Sequence, residues 1–417
     1  MAGSLRFKVL RMPAELVSPA VPTPRELKLL SDIDDQGGLR FHIPAIHLFR
    51  RRGDDDKDPV GVLRDAVARA LVHYYLLAGR LRELEGRKLA VDCTGEGADA
   101  DVRLDQFGDD LQPPFPCLEE LMLAVPDGEP GVLDFPLVIF QVTRLACGGF
   151  IMTGLVQFLA AVAELARGAS APTVRPVWSR ELLMARERDD DALPPRSFAH
   201  REYDEEIAAA RSHLPPPLRH GATTFELLTG CLWSVRGRKN HHNGADAIPS
   251  GYYGNAFAFP VAVATAGELR GNPVGYAVEL VRNAKREVAG IEYLRSLAGL
   301  MVRRGRPHFA VARAYLVSDV SRSGIRELDF GWGKPVYAGP AKGGVGAIPG
   351  VASFLIACRN NARGEEGIVV PVCLPGPAMD KFVQEMAKLM RPAAVVVVTR
   401  QQQQQPAGVV PAIKSAM

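Results

Sequence analysis

His200 and Asp204 stand four positions apart in the run His200, Arg201, Glu202, Tyr203, Asp204. A histidine with a nearby carboxylate is a simple way to take a proton from a substrate near neutral pH, because an imidazole titrates close to that range. Two fixed residues make a loose pattern, and a chain with nine histidines meets it by chance. The pair also falls in a Pro- and Arg-rich stretch rather than at a strand end, so it reads as a decoy. Lys342, Gly343 and Gly344 belong to a glycine-rich run, Gly339 to Gly350, whose backbone N–H groups could cradle a phosphate while Lys342 adds charge. The same composition describes a surface loop with glycine turns, and both readings stand. In Asp329, Phe330, Gly331, Trp332 and Gly333, glycines flank a tryptophan and permit a sharp backbone path around a bulky ring, which is a structural role. No metal is expected. His241 and His242 lack a third ligand at zinc spacing, and the runs Asp54 to Asp56 and Asp189 to Asp191 lack the pattern of a calcium loop. Cys231 has no histidine nearby in sequence and is a poor nucleophile.

Elements that would position such groups are legible in both halves. Asp58 caps a helix that has Pro59 in its first turn, Gly79 past its end and an apolar stripe of Leu63, Ala66, Val67, Ala70, Leu71 and Tyr74. A second helix buries Leu155, Phe158, Leu159, Val162 and Leu165 and stops at Gly168. Between them, Pro136 to Ala146 reads as a strand followed by a tight turn at Cys147 to Gly149. The second half repeats the mixture: helices start at Gly275 and Gly376, and strands start at Ala314, Val351 and Gly367. Interleaved helices and strands predict an α/β architecture in both halves. The expected division is 1–170, a crossover over 171–221, a second domain over 222–391, and a disordered tail over 392–417 that holds Gln401 to Gln405.

Composition excludes several functions. With 417 residues, 47% hydrophobic and 23% charged, the chain is an ordinary globular sequence long enough for two cores. A net charge of +3 is too small for a nucleic-acid footprint, although a small anionic ligand remains compatible with it. The longest apolar run, Ala393 to Val398, is far short of the ~20 residues that span a bilayer. Six scattered cysteines without a CxxC pair, and an N-terminus lacking a signal-type apolar core, point to reduced thiols and the cytosol.

One irregularity needs no comparison to be seen. The strand ending near Ala146 is long, yet its partner beyond the turn has only Phe150, Ile151 and Met152 before a helix starts at Thr153. Hairpin strands pair only over the length both possess. Either this is a short edge strand, or roughly ten to fifteen residues, a strand's length plus a turn, are missing.

The runs DFGWGKP (Asp329 to Pro335) and YYLLAGRL (Tyr74 to Leu81) resemble, in order and position, two signatures of the BAHD acyltransferases of plants. SDIDDQGGLRFHIPAIHLFR, RPVWSRELL and GYYGNAFAFPVAVATAGEL resemble the subgroup that contains the benzyl alcohol O-benzoyltransferases. The resemblance implies a chloramphenicol-acetyltransferase-like α/β fold of two similar domains, each a mixed sheet with flanking helices, with a channel between them. It also implies a monomer, acyl-CoA as co-substrate rather than a bound cofactor, and an alcohol acceptor. In the family the histidine of an HxxxD motif deprotonates the acceptor, which attacks the thioester, and the DFGWG residues shape the channel from outside the reacting centre.

This sequence departs from that pattern where the hairpin is short. The HxxxD segment is expected between Met152 and the following helix, but Met152 runs directly into Thr153, and no histidine lies between His73 and His200. Joins near Glu206 and Val235 also look short. The expectation is therefore an acyltransferase fold whose transfer is weak or lost. The alternative is a non-catalytic homologue binding acyl-CoA or a partner, or the product of a mis-joined gene.

Overall fold

The computed structural model describes residues 10–11, 13–40, 45–50, 58–105, 132–145, 150–152, 156–185, 198–203, 231–236, 248–288, 290–309, 315–340, 352–360, 365–372 and 376–389. Residues 1–374 form one compact unit and residues 375–417 a second.

Helix α1 (Pro59–His73) starts where the sequence predicts. The Asp58 carboxylate accepts from the amides of Val60 and Gly61 at 3.3 and 3.2 Å, satisfying donors that a helix start leaves orphaned. All six residues of the expected stripe are buried. The helix ends before Gly79, because Tyr75–Ala78 form a short 3-10 turn. Gly79 then passes so close to Asp92 O that a Cβ would sit 2.4 Å from it. Helix α2 (Val156–Ala166) buries Phe158, Leu159, Val162 and Leu165, and Gly168 beyond it takes a φ of +94°, a conformation glycine adopts freely. Leu155 lies outside the described residues.

Three sheets are present among the described residues. The largest has seven strands: β1 (Leu10–Arg11), β2 (Glu15–Val17), β4 (Ala45–Phe49), β7 (Ala98–Asp105), β8 (Ile139–Leu145), β9 (Phe150–Met152) and β13 (Tyr337–Pro340). Its order is β1, β7, β8, β9, β4, β13, with β2 also on β7. Only β7 and β8 run parallel, so the sheet is mixed. A smaller sheet joins β3 (Leu27–Leu29), β5 (Arg80–Glu83) and β6 (Leu89–Asp92). In the second half, β10 (Cys231–Arg236), β11 (Phe257–Ala258), β12 (Tyr315–Asp319), β14 (Ala352–Asn360) and β15 (Glu365–Val369) make a five-stranded mixed sheet. Its inner pairs are parallel and its outer pairs antiparallel. Helices α3 (Ala266–Gly271), α4 (Val274–Glu287) and α5 (Ile291–Arg303) accompany it. Helix α6 (Gly376–Leu389) belongs to the second unit.

The seven-stranded sheet has a core on each face. Strand alternation puts Phe49, Phe140, Val142 and Ala338 on the side packed against α1 and α2. It puts Ile46, Leu48 and Tyr337 on the other side, with Leu316, Phe354 and Ile356 of the five-stranded sheet and Leu297 and Met301 of α5. Strand β13 follows the DFGWG residues in sequence, yet it pairs antiparallel with β4, Tyr337 opposite Leu48 and Pro340 opposite Ala45. The chain is an α/β protein with mixed sheets in both halves.

Candidate functional site

The short hairpin expected from the sequence is present. Strand β9 pairs with β8 through Met152 opposite Val142 and Phe150 opposite Arg144. On its other side it pairs with β4 through Met152 opposite His47 and Phe150 opposite Phe49. Both neighbours run on past Met152: β8 by Ile139, Phe140 and Gln141, β4 by Ala45 and Ile46. Among the described residues no strand lies between those stretches. Beside this notch, Gln141 donates to Thr143 Oγ1 at 3.1 Å, and both side chains are buried on the face toward the second half. The turn at Cys147 to Gly149 and residues Thr153 to Leu155 lie outside the described residues.

Asp329, Phe330, Gly331, Trp332 and Gly333 form a self-capped loop. The Asp329 carboxylate accepts from the amides of Gly331 and Gly333, each at 2.8 Å, and those glycines take φ of +113° and +86°. Positive φ at both positions is a conformation that side chains with a Cβ rarely adopt. Phe330 is fully buried and meets Phe49 of β4 edge to face at 5.5 Å, while Trp332 is buried in the same core as α1 and α2. Arg167, just past α2, donates to Asp329 O. The loop is thus fixed to the first sheet's helical side and delivers β13 to β4.

His200 lies elsewhere. It is buried against α5, its Nε2 2.8 Å from Ser296 Oγ and its Nδ1 3.4 Å from Glu202 Oε1. Asp204, the other half of the HxxxD pattern, lies outside the described residues, as do Lys342, Gly343, Gly344, His241, His242 and both aspartate runs. Cys231 is described in its backbone alone, as the first residue of β10. Among the described residues no group of three or more His, Cys, Asp or Glu could hold a metal ion. Cys93 is buried, and burial with Glu26 nearby pushes its thiol up to about 11, away from the thiolate a nucleophile needs.

Sequence reading missed a buried ionic network that joins the two halves. Asp32 and Asp35 each meet both Lys88, at 2.9 and 2.7 Å, and Arg306, at 3.0 and 3.1 Å. Arg306 also donates to Gly86 O at 2.8 Å, and Asp35 accepts from Leu89 N at 3.1 Å. Burial pushes the Asp35 carboxyl up, and the Lys88 and Arg306 cations offset only part of that rise. Asp34 binds Arg180 at 2.8 Å, whose guanidinium lies 3.9 Å from the Trp178 ring centroid and 4.8 Å from that of Tyr252. Four acidic or amide side chains in SDIDDQ were the available signal, since buried carboxylates are found paired, but their partners could not be read from spacing.

Comparisons with known proteins agree with this architecture. A benzyl alcohol O-benzoyltransferase of Petunia hybrida is 52% identical, covering 94% of this chain and 95% of its own. Its counterpart from Nicotiana tabacum is also 52% identical at the same coverage. An alcohol acyl transferase 1 of Malus domestica is 44% identical over 91% of this chain and 94% of its own. The alignment with the petunia protein runs over 450 positions, more than the 417 residues of this chain, so part of that relative has no counterpart here. Among solved structures, vinorine synthase superposes with a TM-score of 0.61 at 18% identity, over 89% of this chain and 96% of that one. TRI101 of F. sporotrichioides, complexed with coenzyme A and T-2, gives 0.59 at 15% identity over 87% and 98%. These two establish the fold alone. The Transferase family profile matches residues 7–217 and 219–389, and with relatives this similar the chain belongs to that family, the BAHD acyltransferases.

Proposed function

We propose that this chain is a BAHD-type acyltransferase scaffold for moving an acyl group, an aromatic one such as benzoyl, from acyl-CoA to an alcohol, and that it performs the transfer weakly or not at all. The substrate class rests on the activities named for the petunia and tobacco relatives. The loss of activity rests on one observation: β9 ends at Met152 while β8 and β4 continue past it, at the point where the sequence lacks a histidine between His73 and His200. Without an imidazole to take the acceptor's proton, the hydroxyl attacks the thioester as a neutral nucleophile. Losing a general base costs about 10²- to 10⁴-fold in rate, and positioning alone supports whatever transfer survives. In this reading 1–170 and 222–391 are the two domains, the DFGWG loop is structural, Lys342 to Gly344 contact the CoA phosphates, and the protein works as a cytosolic monomer.

The test is turnover of benzoyl-CoA with benzyl alcohol by purified protein. The expected rate is at most ~10⁻² of an intact relative, by the general-base magnitude. A rate equal to that relative's would sink the reading and require another residue to act as base.

A further inference from the structure

The segment 198–203 packs on α5 through a set of side chains that acyl transfer does not use. Tyr293 and Ser296 are three residues apart on α5 and so share the face that meets this segment. His200 and Glu202 are buried, and the His200 imidazole lies beside the rings of Tyr293, at 4.7 Å, and Phe198, at 6.3 Å, which meet each other edge to face at 5.0 Å. Ser296 Oγ stands 2.8 Å from His200 Nε2, and Glu202 Oε1 stands 3.4 Å from Nδ1. Tyr293 Oη donates to both oxygens of Glu202, at 2.7 and 3.0 Å. Burial together with the Glu202 charge pushes the Tyr293 phenol upward, so it remains a donor to that carboxylate. His200 holds this place at a φ of +43°, a strained backbone for a residue with a Cβ.

We propose that Ser296, His200 and Glu202 act as nucleophile, base and orienting carboxylate, and that Ser296 takes up an acyl group from an activated ester or thioester. The polarity follows from the partners. Glu202 accepts from Nδ1–H, which leaves Nε2 with a lone pair facing the Ser296 hydroxyl. As Ser296 Oγ bonds to the carbonyl carbon, its proton passes to Nε2. The carbon–oxygen or carbon–sulfur bond to the leaving group breaks, and the leaving group departs with the proton from Nε2. Water then attacks the acyl-serine, gives a proton to Nε2, and the Ser296 alkoxide leaves with it. Ser296 is half-buried, within reach of a small ester, whereas His200 and Glu202 are enclosed. Amides beyond the first turn of α5 are bonded within the helix, so α5 offers the oxyanion no pair of N–H donors. One such donor is worth about 10²- to 10³-fold, and the reaction is accordingly slow. This site is independent of the transfer reading, because it uses no residue of the missing segment.

The probe is p-nitrophenyl acetate, read by nitrophenolate release and by peptide mass mapping of the whole chain. Acetyl is expected on Ser296, absent in Ser296→Ala and retained on the thiol of Ser296→Cys. Glu202→Gln, with an unchanged circular dichroism spectrum, is expected to slow Ser296 acetylation by about 10²-fold or more, by the general-base magnitude. Acetyl found only on other residues, or Ser296 acetylation at an unchanged rate in Glu202→Gln, overturns the proposal.

Discussion

Inserting a family-like strand and HxxxD loop between Met152 and Thr153 tests both consequences of the notch in the first sheet. Continuing the observed register, the next inserted residues fall opposite Gln141 and Ile46, then opposite Phe140 and Ala45. Alternate residues of a strand direct their N–H and C=O to a given neighbour, so of the two inserted residues one would bond to β8 and the other to β4, about four ladder hydrogen bonds in all. A backbone hydrogen bond adds about 0.5 to 1.5 kcal/mol net, which puts the gain at roughly 2 to 6 kcal/mol. That is a large share of a total stability of ~5 to 15 kcal/mol. With an unfolding entropy of about 2.1 cal/mol/K per residue, a chain of this length gains about 1 °C per kcal/mol. The melting temperature should rise by about 2 to 7 °C on that scale.

The rate should respond separately. An insertion carrying the motif histidine is expected to raise benzoyl-CoA turnover about 10²-fold or more. The same insertion with alanine in place of that histidine should reproduce the thermal gain and leave the rate where it was. Calorimetry and a thiol-release assay on the three proteins give both readouts. A lower melting temperature in both insertions would refute the strand argument, and equal rates in all three would refute the assignment of the base.

Two further outcomes follow from the packing. Arg306→Met removes the cation shared by Asp32 and Asp35 and leaves Lys88 alone beside two buried carboxylates, which should cost about 3 to 5 kcal/mol in urea unfolding; a loss below ~1 kcal/mol would show the network to be solvated. Burial alone would raise the Asp58 pKa, but the Arg144 side chain and the amides of Val60 and Gly61 outweigh it and hold the carboxyl below 3.8. Its contribution to stability is therefore present above pH 3.8 and lost as pH falls through the lowered value. Asp58→Ala should cost about 0.5 to 2 kcal/mol at pH 7, shrinking toward zero in acid, as measured by unfolding at a series of pH values.

Legibility in the sequence tracked the distance over which each interaction acts. Asp58 and the α1 stripe were readable because a cap and a helical face are set within a few residues. Helix α5 carries the same kind of signal in Tyr293, Leu294, Leu297, Leu300 and Met301, all buried. The shortened hairpin was readable because strand lengths on either side of a turn must match. By contrast, Arg306 meets Asp35 across 271 positions, and β13 meets β4 across a comparable stretch. No period or spacing encodes such pairings. His200 was placed in a crossover by composition, and its partner Ser296, 96 residues away, could not be inferred.

In the reading proposed above, the architecture also explains how the chain keeps its family's fold without a base. Contacts that tie the second half to the first include Arg306 on Asp32 and Asp35, β13 on β4, and Phe330 and Trp332 in the core of α1 and α2. None of these contacts involves a residue between Met152 and Val156. In that reading a deletion there would shorten one strand of one sheet and leave two hydrophobic cores and the ionic network assembled. Fold and chemistry are thus carried by different residues, and a 52% identity to benzoyltransferases measures the first. Selection on the scaffold alone would preserve every contact named above and place no demand on the strand that β9 lacks.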